Sequence, residues 1–283
     1  MVDHGRVIRR HELSDAEWEF VRPLLPESLR GRKRLDDRTV LNGIVWKFRT
    51  GTAWRDVPER YGPWHTLHTR FRRWALDGTF ERMLRAAQAR ADAAGDIGWL
   101  VSVDSTVVRA HQHAAGAPKR GLRGPGLGRS RGGLTSKIHL ACDALGRPLA
   151  FTVTGGNTND CTQFTAVMEA IRVPRIGPGR PRVRPGHVIG DKGYSSNAIR
   201  TWLRRRGITH TIPQRSDQIR NRLRRGSRGG RPPTFDQQVY TRRNVVERCF
   251  NRLKQWRGIA TRYDKTAESY QAAVTLASLL MWA

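Results

Sequence analysis

The stretch from residue 99 to residue 108 decides the fold: Trp99-Leu-Val-Ser-Val-Asp104-Ser-Thr-Val-Val108. It is dense in β-branched and apolar residues, a composition that predicts a buried β-strand. Asp104 is its single acidic residue. A carboxylate inside an apolar strand is costly to bury unless it has a partner. Asp104 is therefore a candidate functional residue.

The sequence after this strand predicts an alternation of strands and helices. Further strands are expected at Lys137–Cys142, Leu149–Thr154, His187–Asp191 and Thr209–Ile212, with residues 143–146 as a hairpin turn between the first two. Helices are expected from Asp160, with Gln163 completing a capping box, and at Ser196–Arg206, Val239–Trp256 and Ala267–Trp282. The order of elements is that of an α/β fold with a ribonuclease-H-like mixed sheet and helices on its faces.

The first 95 residues predict a small all-helical domain ahead of this sheet. Ser14 with Glu17 forms a capping box, Asp37 is placed to cap a second helix, and a third helix is expected over Pro63–Leu76. Three helices with a basic last one resemble a helix-turn-helix, which makes three arginines candidate DNA contacts: Arg70, Arg72 and Arg73. An ordinary solvated basic face is the alternative. Three tryptophans could stack on bases, although their helical spacing favours the core: Trp54, Trp64 and Trp74.

The charge of the chain favours a polyanionic partner. Its 283 residues include 52 Lys and Arg against 24 Asp and Glu, a net charge of +28. Neutralising phosphates with these cations releases counterions, so nucleic acid is the expected partner; a solubilising surface or a ribosome-like basic protein is the alternative. Two basic segments, near 112–133 and 214–233, are rich in Gly and Arg and are expected to be loops that order on DNA. The second contributes three candidate DNA contacts: Arg222, Arg224 and Arg225.

The remaining composition favours a cytoplasmic protein, and the family resemblance described below implies a bacterial, nucleoid-associated one. Three widely spaced cysteines form no C-x-x-C pair, so we expect neither a disulfide framework nor a zinc site. The first 15 residues lack the apolar segment of a signal peptide. The longest apolar run, Ala272–Ala283, is too short to span a bilayer and predicts a buried helix. We therefore expect no membrane association.

Two further acids extend the argument from Asp104. Asp191 ends another predicted strand, and Mg²⁺ resolves the cost of such carboxylates because it binds a few of them together with substrate phosphate oxygens. Taken singly, each Asp could equally cap a turn or pair with an Arg. Glu247 belongs to the pattern Y-x2-R-x3-E-x6-K, formed with Tyr240, Arg243 and Lys254. These spacings place the four side chains on one face of a helix; an exposed ion-pair ladder is the alternative.

Three blocks of sequence together resemble the DDE transposases of bacterial insertion sequences, in the branch containing insertion-sequence families four and five. They are V-S-V-D-S-T-V-V-R-A-H at Val101–His111, I-G-D-K-G-Y at Ile189–Tyr194, and the Y-x2-R-x3-E-x6-K stretch followed by R-G-I-A-T-R-Y-D-K. The T-G-x-x-W-R-D-V-P segment at Thr50–Pro58 resembles the front domain of the same family. The resemblance covers nearly the whole chain.

The resemblance implies a function and a set of metal ligands. Asp104, Asp191 and Glu247 match the three acids that hold two Mg²⁺ or Mn²⁺ ions in this family. The implied reaction is endonuclease cleavage of double-stranded DNA at terminal inverted repeats, followed by transfer of the freed 3′ end into target DNA. The implied organisation is a DNA-binding domain at residues 1–95, a catalytic domain at residues 96–283, and a homodimer in the synaptic complex.

Several residues near the three acids are candidates for supporting roles, each with an alternative. Arg243 and Lys254 are expected to contact phosphates or to pair with acids; Tyr240 is expected to contact DNA or to pack at the helix start. Lys192 could shape the site, as could Tyr194, although a Lys-Gly turn explains the sequence by itself. His111 and His113 are expected to be an exposed pair, since a lone H-x-H lacks further metal ligands. Competing functions are a nuclease without strand transfer, a degenerate transposase acting as a DNA-binding repressor, and an RNA-binding protein.

Overall fold

A computed structural model describes residues 9–26, 35–115, 126–130 and 132–283. The helices are Asp15–Val21 (α1), Asp37–Thr50 (α2), Trp64–Leu76 (α3), Thr79–Ala93 (α4), Gln112–Ala115 (α5), Asp160–Ala170 (α6), Asn197–Arg205 (α7), Ser216–Arg224 (α8), Gln237–Thr241 (α9), Asn244–Lys254 (α10), Arg257–Ala260 (α11) and Ala267–Leu280 (α12). The strands are Leu100–Ala110 (β1), Gly128–Ser130 (β2), Gly133–Cys142 (β3), Pro148–Gly155 (β4), His187–Gly190 (β5), Thr209–Thr211 (β6) and Thr261–Arg262 (β7).

The strands form one mixed sheet, as the sequence predicts. The order along the sheet is β2-β3-β1-β5-β6, with β4 paired to β3 and β7 paired to β1. β5 is parallel to both β1 and β6, whereas β2 is antiparallel to β3. The parallel pairing of β1 with β5 places Val103 opposite Gly190. This register positions the acids that follow the two residues.

The described residues fall into two compact units. One contains residues up to 87, residues from 108 to 136, and residues 252–283; the other contains residues 88–107 and 137–251. The first unit therefore joins the front helices with the last two helices of the chain, and α12 contacts α3 within it. The boundary at residue 95 remains a prediction.

The front helices largely follow the sequence. α1 begins with the predicted Ser14–Glu17 capping box, and α2 ends at Gly51, where a positive φ of 74° favours glycine. The cap of α2 is Asp36 and not Asp37, because the Asp36 carboxylate accepts the Thr39 N–H at 2.9 Å. α4 is a fourth helix that the sequence analysis did not separate.

The tryptophans of the front helices divide between core and surface. Trp74 is buried, and its ring meets that of Phe80 edge-on at 5.8 Å, which confirms its assignment to the core. Trp54 is partly buried against Phe71, at 5.4 Å between ring centroids. Trp64 is exposed, so its assignment to the core was wrong. It is the first residue of α3, where no preceding turn of that helix covers it.

Two predictions in the second half of the chain need correction. The basic segment at 214–233 is not a plain loop, because α8 and a 3₁₀ turn at Gly226–Gly229 occupy much of it. The predicted long helix from Val239 is divided into α9 and α10. At the division, the Arg243 N–H donates to the Tyr240 carbonyl three residues earlier, a spacing that interrupts the regular helix. Tyr240 and Glu247 therefore do not share one continuous helix.

Two further predictions concern the basic segment at 112–133 and the apolar C-terminal run. Within 112–133, α5 and β2 are regular elements; residues 116–125 and 131, which the loop prediction also covered, lie outside the described residues. α12 is buried along nearly its whole length, as predicted. In the part of the chain that the structure describes, no helix combines the length and apolarity needed to cross a membrane.

Candidate active site

Asp104 and Asp191 follow residues that face each other across two parallel strands. Val103 of β1 is opposite Gly190, the last residue of β5, and each acid is the next residue along its chain. Neighbouring strands lie about 4.8 Å apart, so this pairing brings Asp104 and Asp191 close to each other where β5 ends. The sequence predicts each acid; pairing of the strands brings them together.

Local backbone groups orient both carboxylates. The Asp191 carboxylate accepts the Gly193 N–H at 2.7 Å and caps the 3₁₀ turn Lys192–Tyr194. A Cβ atom at residue 193 would lie only 2.7 Å from the nearer Asp191 carboxylate oxygen, which explains the glycine there. The Asp104 carboxylate accepts the Ser105 N–H at 2.8 Å. Each acid thus has one oxygen held by the backbone.

Arg243 links Asp104 with Glu247. One guanidinium nitrogen forms an ion pair with the Asp104 carboxylate, and the other lies 2.7 Å from the Glu247 carboxylate. The Asp104 side chain is 19% exposed and that of Glu247 is 55% exposed. Arg243 is therefore the cation that brings the third predicted acid to the first. Pairing with acids was the alternative role for Arg243, and its contact with a phosphate stays a prediction.

The charge balance around Asp104 is unfavourable to its ionised form. Burial raises the pKa of the Asp104 carboxyl, and the Arg243 guanidinium and the Ser105 N–H offset part of this rise. The negative charges of Asp191 and Asp160 raise the pKa further. A second cation in this cluster would relieve the repulsion between the carboxylates.

Asp160 is a fourth acid in the cluster, although the sequence predicted it as the cap of α6. The predicted capping box is wrong: the cap of α6 is Asn159, whose side chain accepts the Cys161 N–H at 3.0 Å. The Asp160 carboxylate instead accepts the Ser105 hydroxyl at 2.7 Å and pairs with Lys137 at 3.0 Å.

His139 lies beside the same carboxylate. Its Nδ1 is 3.7 Å from the nearer Asp160 oxygen, and its Nε2 is 2.9 Å from the Thr154 hydroxyl. Burial lowers the pKa of this histidine to about 4, so the ring is neutral near pH 7. The sequence does not show that Asp160 bonds Ser105, the residue next to Asp104, because this contact forms only when the fold brings β1 and α6 together.

The Tyr194 hydroxyl supports a fit between this cluster and a divalent cation. It is buried and has no hydrogen-bond partner among the described residues. Burial raises its pKa, and the nearby negative charges of Asp104, Asp160 and Asp191 raise it further. The donors are all oxygen, which is the donor chemistry that Mg²⁺ prefers. Among the described residues, no three acidic, histidine or cysteine side chains are already gathered as a metal cage.

Other predicted residues around the acids are placed less centrally. Lys192 is exposed, although its carbonyl accepts the Arg215 Nε at 3.1 Å. Tyr240 is partly exposed and its ring lies 5.2 Å from that of Phe235. Lys254 belongs to the other compact unit, and burial lowers the pKa of its ammonium. His111 and His113 also lie there, with ring centroids 4.4 Å apart.

The predicted DNA-contact arginines occupy two helices. On α3, Arg72 and Arg73 are exposed, whereas Arg70 is bonded to Asp37 at 2.6 Å and lies over the ring of Trp74. At the end of α8, Arg224 and its neighbour Arg225 are exposed. Arg222 is partly buried and lies within 3.4 Å of the Gln214 side chain. Two of the three predicted arginines on each helix are thus fully presented to solvent.

The site has one acid inside a strand, a second directly after the neighbouring parallel strand, and a third linked to the first from a helix. This is the arrangement of the class of DDE phosphoryl-transfer proteins. Two family profiles match this chain. The family described as "Putative transposase of IS4/5 family" matches residues 13–84, and the family described as "Transposase DDE domain" matches residues 97–282. The chain belongs to the DDE transposase family, its sheet is ribonuclease-H-like, and its function is DNA transposition.

Individual relatives agree with this membership. The chain is 40% identical over 107 residues to "Uncharacterized protein y4sN" of Sinorhizobium fredii, a match covering 37% of this chain and 82% of that protein. It is 30% identical over 149 residues to "Putative transposase for insertion sequence element IS6501" of Brucella ovis, covering 53% and 98% of the two chains. It is 36% identical over 146 residues to "Putative transposase for insertion sequence element IS402" of Burkholderia cepacia, covering 52% and 62%.

Proposed function

We propose that this chain cuts DNA at the ends of an insertion sequence and joins the released 3′ ends to target DNA, using Asp104, Asp191 and Glu247 as ligands of two divalent cations. The observation that carries the proposal is the β1–β5 register, which sets Asp104 beside Asp191. The Arg243 bridge from Asp104 to Glu247 supports the third ligand. Two neighbouring divalent cations of this kind supply charge stabilisation to the attacking and leaving oxygens of a phosphodiester.

The protein's own contribution is to hold oxygen donors in fixed positions. The N–H groups of Ser105 and Gly193 each orient one carboxylate, so little reorganisation is needed when charge develops on a phosphate. Arg243 balances the negative charge of the cluster and is proposed to contact a phosphate beside it. Mg²⁺ or Mn²⁺ is the proposed cofactor because all the donors are carboxylate oxygens.

DNA binding is assigned to exposed and partly buried cations of several elements. On α3, Arg72 and Arg73 are proposed to contact the terminal inverted repeats, with Arg70 held by Asp37. The cations proposed to contact the DNA backbone elsewhere are Lys192, Arg222, Arg224, Arg225 and Lys254. Tyr240 is proposed to contact the strand near the site. Two element ends must be held together for transposition, which implies a homodimer in the working complex.

A supercoiled-plasmid assay tests the proposal. The substrate carries the ends of the element that encodes this chain, and Mg²⁺ or Mn²⁺ is supplied. We expect the native chain to cut at the ends and join them to target, and Glu247→Gln to bind the ends without cutting or joining. Glu169→Gln is the matched control, since it removes one charge from an exposed surface pair with Arg206. It should retain both activities.

Three other results have distinct meanings. Equal binding by native chain and Glu247→Gln with no cutting by either indicates a DNA-binding repressor. Cutting without joining indicates a nuclease. Cutting that survives the loss of Glu247 removes this residue from the ligand set and leaves Asp104 and Asp191 to be tested with a different third acid.

A further inference from the structure

A cavity of about 990 Å³ lies beside the start of β5, the strand β6 and helix α7, in the unit that also holds the acids. Its wall includes three arginines and two histidines against one acid: Arg200, Arg204, Arg231, His187, His210 and Asp236. Ile208, Pro232 and Pro233 add apolar surface. A concave site with several cations and an apolar wall fits an anion that carries an organic group.

Arg200 is the side chain that most needs an anion here. The residue is only 7% exposed, and its Nη2 donates to the Ile212 carbonyl at 2.8 Å. Its Nη1 is buried and has no hydrogen-bond partner in the described part of the chain. Burial lowers the pKa of this guanidinium, and the charge of Arg204 lowers it further. A buried cation with an unused donor is costly unless an anion compensates it.

The histidine at the other side of the cavity is held in a fixed orientation. The two ring nitrogens of His187 lie 2.8 Å from the Thr209 hydroxyl and 3.0 Å from the Thr211 hydroxyl. Because both hydroxyls come from the neighbouring strand, the ring cannot rotate without losing two hydrogen bonds. Arg204 and Arg231 are exposed, and both line the cavity.

The cavity is separate from the candidate active site. His187 begins β5, and Asp191 follows its last residue, so the two lie at opposite ends of this strand. Four residues of extended chain span about 13 Å. A phosphate in the cavity is therefore not the one attacked beside Asp104.

We propose that this cavity binds the phosphate group of a nucleotide. The arginines donate to the phosphate, and the apolar surface of Ile208, Pro232 and Pro233 lies against the sugar or base. The phosphate can belong to a DNA strand or to a free nucleotide, because both present the same anion on the same organic group. The proposal does not depend on the metal-ligand roles of the three acids.

The test measures phosphate binding by the full chain with paired arginine substitutions. The double variant Arg204→Gln/Arg231→Gln removes two charges from the cavity wall. The double variant Arg205→Gln/Arg228→Gln is the matched control: both residues are exposed, lie in the same segments and are absent from the wall. The probes are inorganic phosphate, deoxyadenosine monophosphate and a short single-stranded oligonucleotide, titrated calorimetrically at constant ionic strength.

We expect the cavity variant to bind at least one nucleotide probe about tenfold more weakly or worse, since charge-assisted hydrogen bonds are lost, and the control to change less than about twofold. Loss with deoxyadenosine monophosphate identifies a free-nucleotide site; loss with the oligonucleotide alone identifies a strand phosphate. Glu169→Gln, which changes a surface pair outside the cavity wall, should bind as the native chain does. Equal loss in both double variants, or no loss in either, overturns the proposal.

Discussion

Arg243 forms an ion pair with Asp104, a residue 139 positions earlier in the chain, while its second terminal nitrogen holds Glu247. One guanidinium thus assembles two acids that come from a strand and a helix. Both ion-pair partners of Arg243 are proposed metal ligands. The Arg243 guanidinium and the metal ions therefore compete for the same carboxylates.

Arg243→Gln should therefore lower stability most when metal is absent. We expect a loss of about 1–3 kcal/mol in EDTA, because a largely buried carboxylate loses its charged donor, and a smaller loss in Mg²⁺. DNA cleavage should fall by about 10²-fold or more. Thermal denaturation with and without Mg²⁺ measures the first effect. Arg206→Gln, which removes a surface pair, serves as control; equal losses in EDTA and Mg²⁺ would contradict the competition.

Asp160 is expected to act on the site through Ser105. Asp160→Asn weakens its bonds to the Ser105 hydroxyl and to Lys137, so the segment that carries Asp104 should be less well fixed. Loss of such an outer partner typically reduces activity about 10–100-fold. The readout is the cleavage rate as a function of Mg²⁺ concentration, which should shift to higher concentration. A rate loss at saturating Mg²⁺ with no such shift would argue for a different role.

Because His139 is buried, we expect the folded protein to lose stability in weak acid. Its folded-state pKa of about 4 is below the ordinary value of 6.5, so the unfolded chain takes up a proton that the folded chain excludes. The stability is complete above about pH 6.5 and is lost as the pH falls towards about 4, by up to about 3 kcal/mol. Chemical denaturation between these pH values should show a flatter profile for His139→Gln.

The arginines of α8 predict a change in salt dependence. If Arg222, Arg224 and Arg225 contact the DNA backbone, replacing all three with Gln should reduce the slope of log affinity against log salt by up to about 2.7, at about 0.9 per phosphate. Fluorescence anisotropy over a salt series measures this slope. A triple substitution at Arg175, Arg180 and Arg184 removes the same charge elsewhere. If both variants behave alike, α8 has no special part in binding.

Lys47 and Asp264 form a buried pair whose disruption should be costly. Their charged atoms are 3.9 Å apart, and the side chains are only 2% and 7% exposed. Lys47→Met leaves Asp264 without this cation, for a loss of about 3–5 kcal/mol. Adding Asp264→Leu should restore much of the loss, which a double-mutant cycle quantifies. Arg82→Met breaks a surface pair at 3.7 Å and should cost less than about 1 kcal/mol.

Much of this fold could be predicted because the apolar pattern carries it. The strand through Asp104 and the strand before Asp191 are short and rich in β-branched and apolar residues, a composition that favours buried strands. The identity of the two acids follows from their position in or beside such runs. The proximity of the two acids does not follow from these runs, because the β1–β5 register is a long-range property that no local pattern encodes.

The errors have local physical causes. α8 was hidden because its arginines and flanking glycines resemble a loop, and few of its side chains are buried. The break between α9 and α10 has no Pro or Gly to mark it. Asn159 and Asp160 are both good helix caps, so sequence alone could not decide which one capped α6 and which one was left to bond Ser105.

The pairing of β1 with β7 has a consequence for synthesis of the chain. Arg109 lies opposite Thr261, and the buried Arg262 bonds both the Gly126 carbonyl and the Ser136 hydroxyl. Residues made early must therefore wait for residues made about 130 positions later, long after they have left the ribosome, before this part of the core can close. During that interval the nascent chain exposes apolar surface, and chaperones that hold unfolded segments should associate with it until Arg262 has emerged from the ribosome.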